Sequence, residues 1–268
     1  MKHLFSNSSH CLAIASTTAA LLIAGTTVTH SAVIGLDGRN GFAAVSILAT
    51  GSKYELFRAS MLSAGHTLVT VNNFTLGELS GLNALMVNQP YSPLSFSAAE
   101  IGSISDFVMN GGGLVAFGEG GSGSSAALIN SLASVFGVTY ANDATEGDGY
   151  TITGFVPHPI TAGVDSVGID YQRKIVGFSG GATDLTLGSG ADNFLAVNGK
   201  AVFLSDASMF SDPGDGSDRP LSFGDNQRLL DNIVAYVVIP EPSVMVLFAV
   251  GCVSIAGRRR LQVPNQPA

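Results

Sequence analysis

The chain has no tryptophan, and only two of its residues are cysteines. Both thiols, Cys11 and Cys252, sit in apolar stretches near the two ends, so the body between them offers neither a thiol nucleophile nor an internal disulfide. Charge is scarce as well: Asp, Glu, Lys and Arg make up 12% of the residues, with a formal net charge of -8. That acidic balance excludes nucleic acid as a partner, because phosphate binding needs a basic footprint. The missing tryptophan removes the largest ring on which a sugar would stack. The 33 glycines have no three-residue period, which excludes collagen, and no internal repeat is present. What the chain does have is apolar content, 46% of its 268 residues, enough for a packed core and too much for a disordered chain.

The ends are the most readable segments. Lys2 opens a short polar stretch, an apolar run follows from Cys11 to Gly25, and the small residues at its exit lead to Ser31 and Ala32. A basic start, an apolar middle and a small-residue exit describe a secretory signal peptide over residues 1–32, with a retained N-terminal anchor as the alternative. At the other end, Pro240, Glu241, Pro242 and Ser243 precede an apolar segment that closes on Arg258, Arg259 and Arg260. The prolines stop the preceding helix and hold the chain extended. The apolar segment is short against the roughly 20 residues that a bilayer span takes, and snorkelling arginines with local thinning would make up the difference. The three arginines stay cytoplasmic by the positive-inside rule, which leaves the body outside that membrane.

The order Pro-Glu-Pro-Ser, short apolar helix, arginine cluster resembles the PEP-CTERM sorting signal of Gram-negative bacteria. The resemblance covers residues 240–268. It implies an exosortase-type sorting protease as partner, recognition through Pro240, Glu241, Pro242 and Ser243, and a stop-transfer end at Arg258, Arg259 and Arg260. It also implies an exported protein, tethered to the inner membrane during sorting and then found at the cell surface or in the extracellular matrix. A plain C-terminal anchor without sorting is the alternative.

The body, residues 33–239, alternates strands and helices. Strands are expected at Val33–Asp37, Thr67–Val71 and Ala84–Asn88, and in the run GLVAFGE that ends at Glu119. A helix is expected from Lys53 to Ala64, with Leu56, Ala59 and Leu62 at helical spacing and Gly65 as C-cap. Ser97 and Glu100 form a capping box that opens the next helix, with Ile101, Ile104 and Val108 on one face. Another helix runs from about Ser125 to Phe136. Beyond Val138 strands follow one another without helices, at Tyr150–Phe155, Ile169–Phe178 and Phe194–Val197. Asn198-Gly199 marks a hairpin turn into Ala201–Asp206, and a last helix spans Asn226 to Val238 with Leu229, Leu230, Ile233 and Val237 inward. The alternation argues for an α/β fold: a mainly parallel, flavodoxin-like sheet with helices on both faces and extra strands in the second half.

The string SAAEIGSISDFVMNGGGLVAFGE, with HPITAGV, AVFLSDASMFSD and DNQRLLDNIVAYV, resembles class I glutamine amidotransferase-like domains, in particular a degenerate branch found in secreted and membrane-associated proteins. The resemblance spans most of residues 33–239 and implies a fold more than an activity. Active members hold a cysteine on a sharp strand-to-helix turn, served by a histidine and a glutamate downstream. The corresponding turn here is Phe117-Gly118-Glu119-Gly120-Gly121-Ser122, without cysteine, and the body's two histidines, His66 and His158, belong to no histidine–glutamate pair. Amidotransferase activity, or any catalytic residue, is therefore not expected.

What remains for a site is the end of the parallel strands, where open α/β sheets form their ligand crevice. Asp37, Glu119, Ser122 and Asp206 are the candidates there. Ser122 lies in a glycine-rich loop before a helix, which reads first as a helix cap and second as a nucleophile. Asp212, Asp215 and Asp218, and the group Asn142, Asp143, Glu146 and Asp148, are weak calcium candidates on acidic loops that lack the EF-hand spacing. No cofactor is expected. Three functions stay open: a non-catalytic surface or matrix module that binds a polysaccharide or protein, a hydrolase using Glu119, Ser122 and Asp206, and a calcium- or sugar-binding module.

Overall fold

A computed structural model describes residues 31–39, 47–120, 125–142, 149–187, 193–214 and 219–239. Almost all of the expected signal peptide and the whole sorting tail from Pro240 lie outside the described residues, as do Ser122, Asp143, Glu146, Asp148, Asp215 and Asp218. Among the described residues, no helix is long and apolar enough to cross a membrane.

The first half follows the β–α alternation of its sequence. β1 (Val33–Asp37) leads through a short 3-10 turn into α1 (Glu55–Ser63), then β2 (Thr67–Val71), α2 (Leu76–Leu79), β3 (Ala84–Asn88), α3 (Ala98–Met109), β4 (Gly113–Phe117) and α4 (Ala126–Ala133). After these come β5 (Val138–Tyr140), β6 (Tyr150–Ile152), β7 (Val167–Ile169), β8 (Ile175–Phe178), β9 (Thr183–Asp184), β10 (Leu195–Asn198), β11 (Ala201–Leu204) and α5 (Asn226–Val238). Seven strands form the central sheet in the order β2-β1-β3-β4-β11-β10-β9. β2, β1, β3, β4 and β11 run parallel, and β10 and β9 join antiparallel. β5–β8 and β6–β7 make two small antiparallel ribbons beside it.

Period-two alternation sends the side chains of the central strands to two cores. Met86, Val115, Phe117, Val202 and Leu204 pack with Phe57 and Met61 of α1 and with Leu229, Leu230, Ile233 and Val237 of α5. Leu85, Val87, Leu114, Ala116 and Phe203 pack on the opposite face with Ile104 and Phe107 of α3 and with Ile129 and Leu132 of α4. Helices on both faces of a mostly parallel sheet are the flavodoxin-like arrangement that the alternation predicts. Burying one ring such as Phe57, fully enclosed between α1 and the sheet, stabilises the fold by about 1.5–3 kcal/mol.

The local signals hold in detail. Ser97 accepts from the Glu100 backbone while the Glu100 carboxylate accepts from the Ser97 N–H, the reciprocal cap read from sequence. Gly137 closes the turn after α4 in a left-handed conformation, φ +73°, against the Ser179 carbonyl, where a side chain has no room. Three expectations need correction. The inward face of α1 is Phe57 and Met61, continued by Tyr54 of the preceding 3-10 turn, whereas Leu56 and Leu62 are 48% and 54% exposed. Residues 169–178 are two strands with a loop between them, because the chain leaves one ribbon to join the other. The hairpin of β10 and β11 pairs Asn198 with Ala201, so its two turn residues are Gly199 and Lys200.

Candidate functional site

In chain order β1 is followed by β2 on one side, and the chain then crosses to β3 on the other. Strand order therefore reverses between β1 and β3, and the carboxyl ends of these strands are where open α/β sheets place their ligand crevice. The residues at those ends are Asp37, the last of β1, Asn88, the last of β3, with Gln89 after it, Glu119 after β4, and Ser205 and Asp206 after β11. All are buried.

Glu119 and Asp206 meet at one serine. The Ser208 backbone N–H donates to Asp206 Oδ1 at 2.6 Å, and the Ser208 hydroxyl lies 3.5 Å from Glu119 Oε2. Lys53, on the 3-10 turn before α1, donates to that hydroxyl at 2.9 Å. The other Asp206 oxygen accepts from the Asp170 N–H at 2.6 Å, which ties the loop after β7 to the end of β11. Burial pushes the Asp206 carboxyl up from its ordinary value, against the pull of these two N–H bonds and of the Lys53 charge. Burial likewise pushes the Tyr54 and Tyr91 hydroxyls up, reinforced by the negative charges of Glu119 and Asp206. Tyr54 and Tyr91 thus stand in the field of the same two carboxylates.

Arg173 supplies a buried cation on the far wall. Its Nε donates to the Glu119 carbonyl at 3.1 Å, and another of its nitrogens to the Ala141 carbonyl at 3.0 Å. The backbone of Glu119 is held from the other side by Gln89, whose Oε1 accepts the Glu119 N–H at 3.0 Å. Gly120 sits so close to this wall that a Cβ there would be 2.5 Å from the Gln172 carbonyl. Two polar atoms flanking this segment, Gln89 Nε2 and Gln172 Oε1, are buried with no hydrogen-bond partner among the described residues. One is a donor and the other an acceptor, and each costs stability until a partner arrives.

Asp37 joins a second network. Its Oδ1 accepts from the Arg39 N–H at 2.8 Å, Arg39 pairs with Glu100 at 2.6 Å, and the guanidinium lies over the Phe74 ring at 4.2 Å. The structure therefore brings Glu119 and Asp206 together and ties Asp37 toward the start of α3. Asp212 holds a structural post: its carboxylate accepts from the Glu55 and Leu56 N–H groups at 3.1 and 2.9 Å, capping α1 across a long sequence separation. Among the described residues, no three His, Cys, Asp or Glu side chains are placed to hold a metal ion.

Neither histidine is near the crevice. His66 precedes β2 at the amino edge of the sheet, where its Nδ1 accepts from the Ala32 N–H at 3.3 Å. His158 caps the 3-10 turn Pro159–Thr161 and packs edge-on against Tyr236 near the end of α5. Burial lowers the pKa of both rings. The residues that sequence reasoning missed are Lys53, Gln89, Tyr91, Gln172, Arg173 and Ser208. Gln89 and Tyr91 were within reach, since they directly follow the third expected strand at the switch point. Arg173 and Ser208 carry no local signal, because contacts distant in sequence bring them to the site.

Fold and site together define an open α/β protein of the flavodoxin-like class with a cluster of buried polar side chains at its switch point. Among solved structures, the chain is similar to the "mmIFT52 N-terminal domain" at 19% identity and a TM-score of 0.58, covering 79% of this chain and 99% of that one. It is also similar to the cytoplasmic protein STM3548 from Salmonella typhimurium, at 16% identity and a TM-score of 0.56, covering 77% of this chain and 98% of that one. A ThuA-like protein from Bacteroides uniformis aligns at 14% identity and a TM-score of 0.53, over 78% of this chain and 91% of that one. ThuA-like proteins have a glutamine amidotransferase-like fold, so the likeness read from the body sequence holds at the level of fold. No family profile matches the sequence, and no curated protein matches it.

Proposed function

We propose that this is an exported protein of the cell surface or extracellular matrix, whose α/β domain binds a surface polysaccharide and does not turn it over. The observation that carries the binding half is the pair of Gln89 Nε2 and Gln172 Oε1 flanking Glu119, buried and without a partner among the described residues. Both atoms are sealed from solvent, so sugar hydroxyl groups, which both accept and donate, pair with them only once the segment around Glu119 shifts to admit a ligand. Tyr91, half-buried nearby, offers a ring face in place of the missing tryptophan.

The non-catalytic half rests on what the carboxyl edge lacks. The body has no cysteine, and both of its histidines stand at the opposite edge of the sheet. The Ser208 hydroxyl lies 3.5 Å from Glu119, but it is 1% exposed and accepts a hydrogen bond from Lys53, so it is not presented to a substrate as a nucleophile. The export half rests on the two ends of the sequence: a signal peptide, and a tail for an exosortase-type sorting protease that passes through the inner membrane.

The experiment is retention of the protein on polysaccharide extracted from the producing cells. Wild type should be retained, and Gln89→Leu, which keeps the volume but removes both the buried donor and the acceptor of the Glu119 N–H, should weaken retention by roughly tenfold or more. Equal retention of the two would remove the crevice from the reading.

A further inference from the structure

β2 is the outermost strand of the central sheet, and among the described residues no strand pairs with its free side. Its parallel register with β1 sets Thr67, Val69 and Val71 opposite Val33, Gly35 and Asp37. The Thr67 N–H donates to the Ala32 carbonyl, and the Val71 carbonyl accepts from the Gly38 N–H. By strand alternation, the backbone groups of Leu68 and Thr70 therefore point away from β1, toward the open side.

Proteins guard such edges with charges, prolines or bulges. This one has none of them: the stretch His66 to Phe74 contains no Asp, Glu, Lys, Arg or Pro, and the β1–β2 register runs without a shift. Val69 is 40% exposed on one face of the edge. On the other face α1 packs beside β2 and leaves Leu56 and Leu62 uncovered.

We infer that β2 is a self-association edge, at which two copies of the chain pair antiparallel about a two-fold axis through Val69. The geometry selects this occupant because the strand is complementary to itself. With Val69 on the axis, Leu68 stands opposite the partner's Thr70, and these are the two residues whose N–H and C=O face outward, so each such pair exchanges both bonds. Val69 then meets the partner's Val69 as a non-hydrogen-bonded pair, the closer of the two antiparallel spacings, and the two exposed side chains cover each other. With no charge on the stretch, no like charges meet across the axis. The two seven-stranded sheets become one continuous sheet.

The test is register-specific. In the full chain with Cys11→Ser and Cys252→Ser, Val69→Cys places two thiols on the axis at a spacing of about 4.5 Å between Cα atoms, within disulfide range. Val176→Cys, on β8 and 52% exposed, is the control for random collision. Under mild oxidation at low micromolar concentration, Val69→Cys should give a disulfide-linked dimer in roughly tenfold or greater excess over the control. Equal yields would overturn the inference. Sedimentation of the full chain provides a reading that needs no thiol: wild type should run as a dimer, and Val69→Lys as a monomer with an unchanged far-ultraviolet spectrum. A wild-type monomer, or a dimer that survives Val69→Lys, would overturn it too.

Discussion

Asn226 shows how much one buried amide can organise. It is fully buried at the start of α5, accepts the Gly168 N–H at 2.9 Å, and directs its Nδ2 at the carbonyls of Gly168, Met209 and Pro220. One side chain thereby joins β7, the turn before α5 and the loop after β11. Asn226→Ala leaves those groups unpaired in the interior and should cost about 1–3 kcal/mol, read as a lower denaturation midpoint with an unchanged slope. In sequence this residue is only the first position of an expected helix. The same holds for Asp212, which reads as a loop acid and is in fact the cap of α1. Local pattern reports what a residue does for its neighbours in the chain, and these two serve segments far away. Glu119 and Asp206 were legible because a rule of topology, independent of long-range detail, sends strand ends to the crevice.

At the scale of elements, the strands and caps were legible and the face of α1 was not. Leu56, Ala59 and Leu62 have helical spacing, but so do Tyr54, Phe57 and Met61, and the aromatic set fills the space between α1 and the sheet. Spacing gives a helix, and side-chain volume then decides which stripe faces inward. Phe57 packs on Phe117 and Phe210 with ring centroids 6.4 and 6.0 Å apart, contacts that Leu56 cannot supply from its side of the helix. α5 carries the clearest pH dependence. Asp225 stands before its first turn, and the Asp165 and then the Ser166 N–H hold its carboxyl below the ordinary value. Its stabilisation is complete above the ordinary carboxylate pKa, about 4, and is lost as pH falls through that value toward the lowered one. Asp206 has the opposite sign, since burial raises it and acid relieves the buried charge. Thermal melts between pH 7 and 3 should therefore show Asp225→Asn losing less melting temperature than wild type at the acid end. Parallel curves for the two proteins would count against the assignment.

At the scale of the molecule, alternation in the first half was enough to give a mainly parallel sheet covered on both sides. The strands after Val138 were harder, since short segments such as Val167–Ile169 and Ile175–Phe178 join ribbons that no local pattern specifies. The site was half legible: its acids by strand position, its cation and serine not at all. The ends make a separate prediction about where the protein goes. Replacing Pro240 and Pro242 together should leave unprocessed protein in the membrane fraction of cells that carry the sorting protease. Unchanged processing would remove the Pro-Glu-Pro step from the account.

The central claim is a crevice that binds without turnover, and one assay tests both halves together. The purified protein is incubated with polysaccharide extracted from the producing cells, and co-sedimentation and release of new reducing ends are followed in the same sample. The account predicts co-sedimented protein with reducing ends at the level of the protein-free control. A steady rise in reducing ends that Glu119→Gln abolishes would contradict it, and would identify the crevice as the active site of a hydrolase.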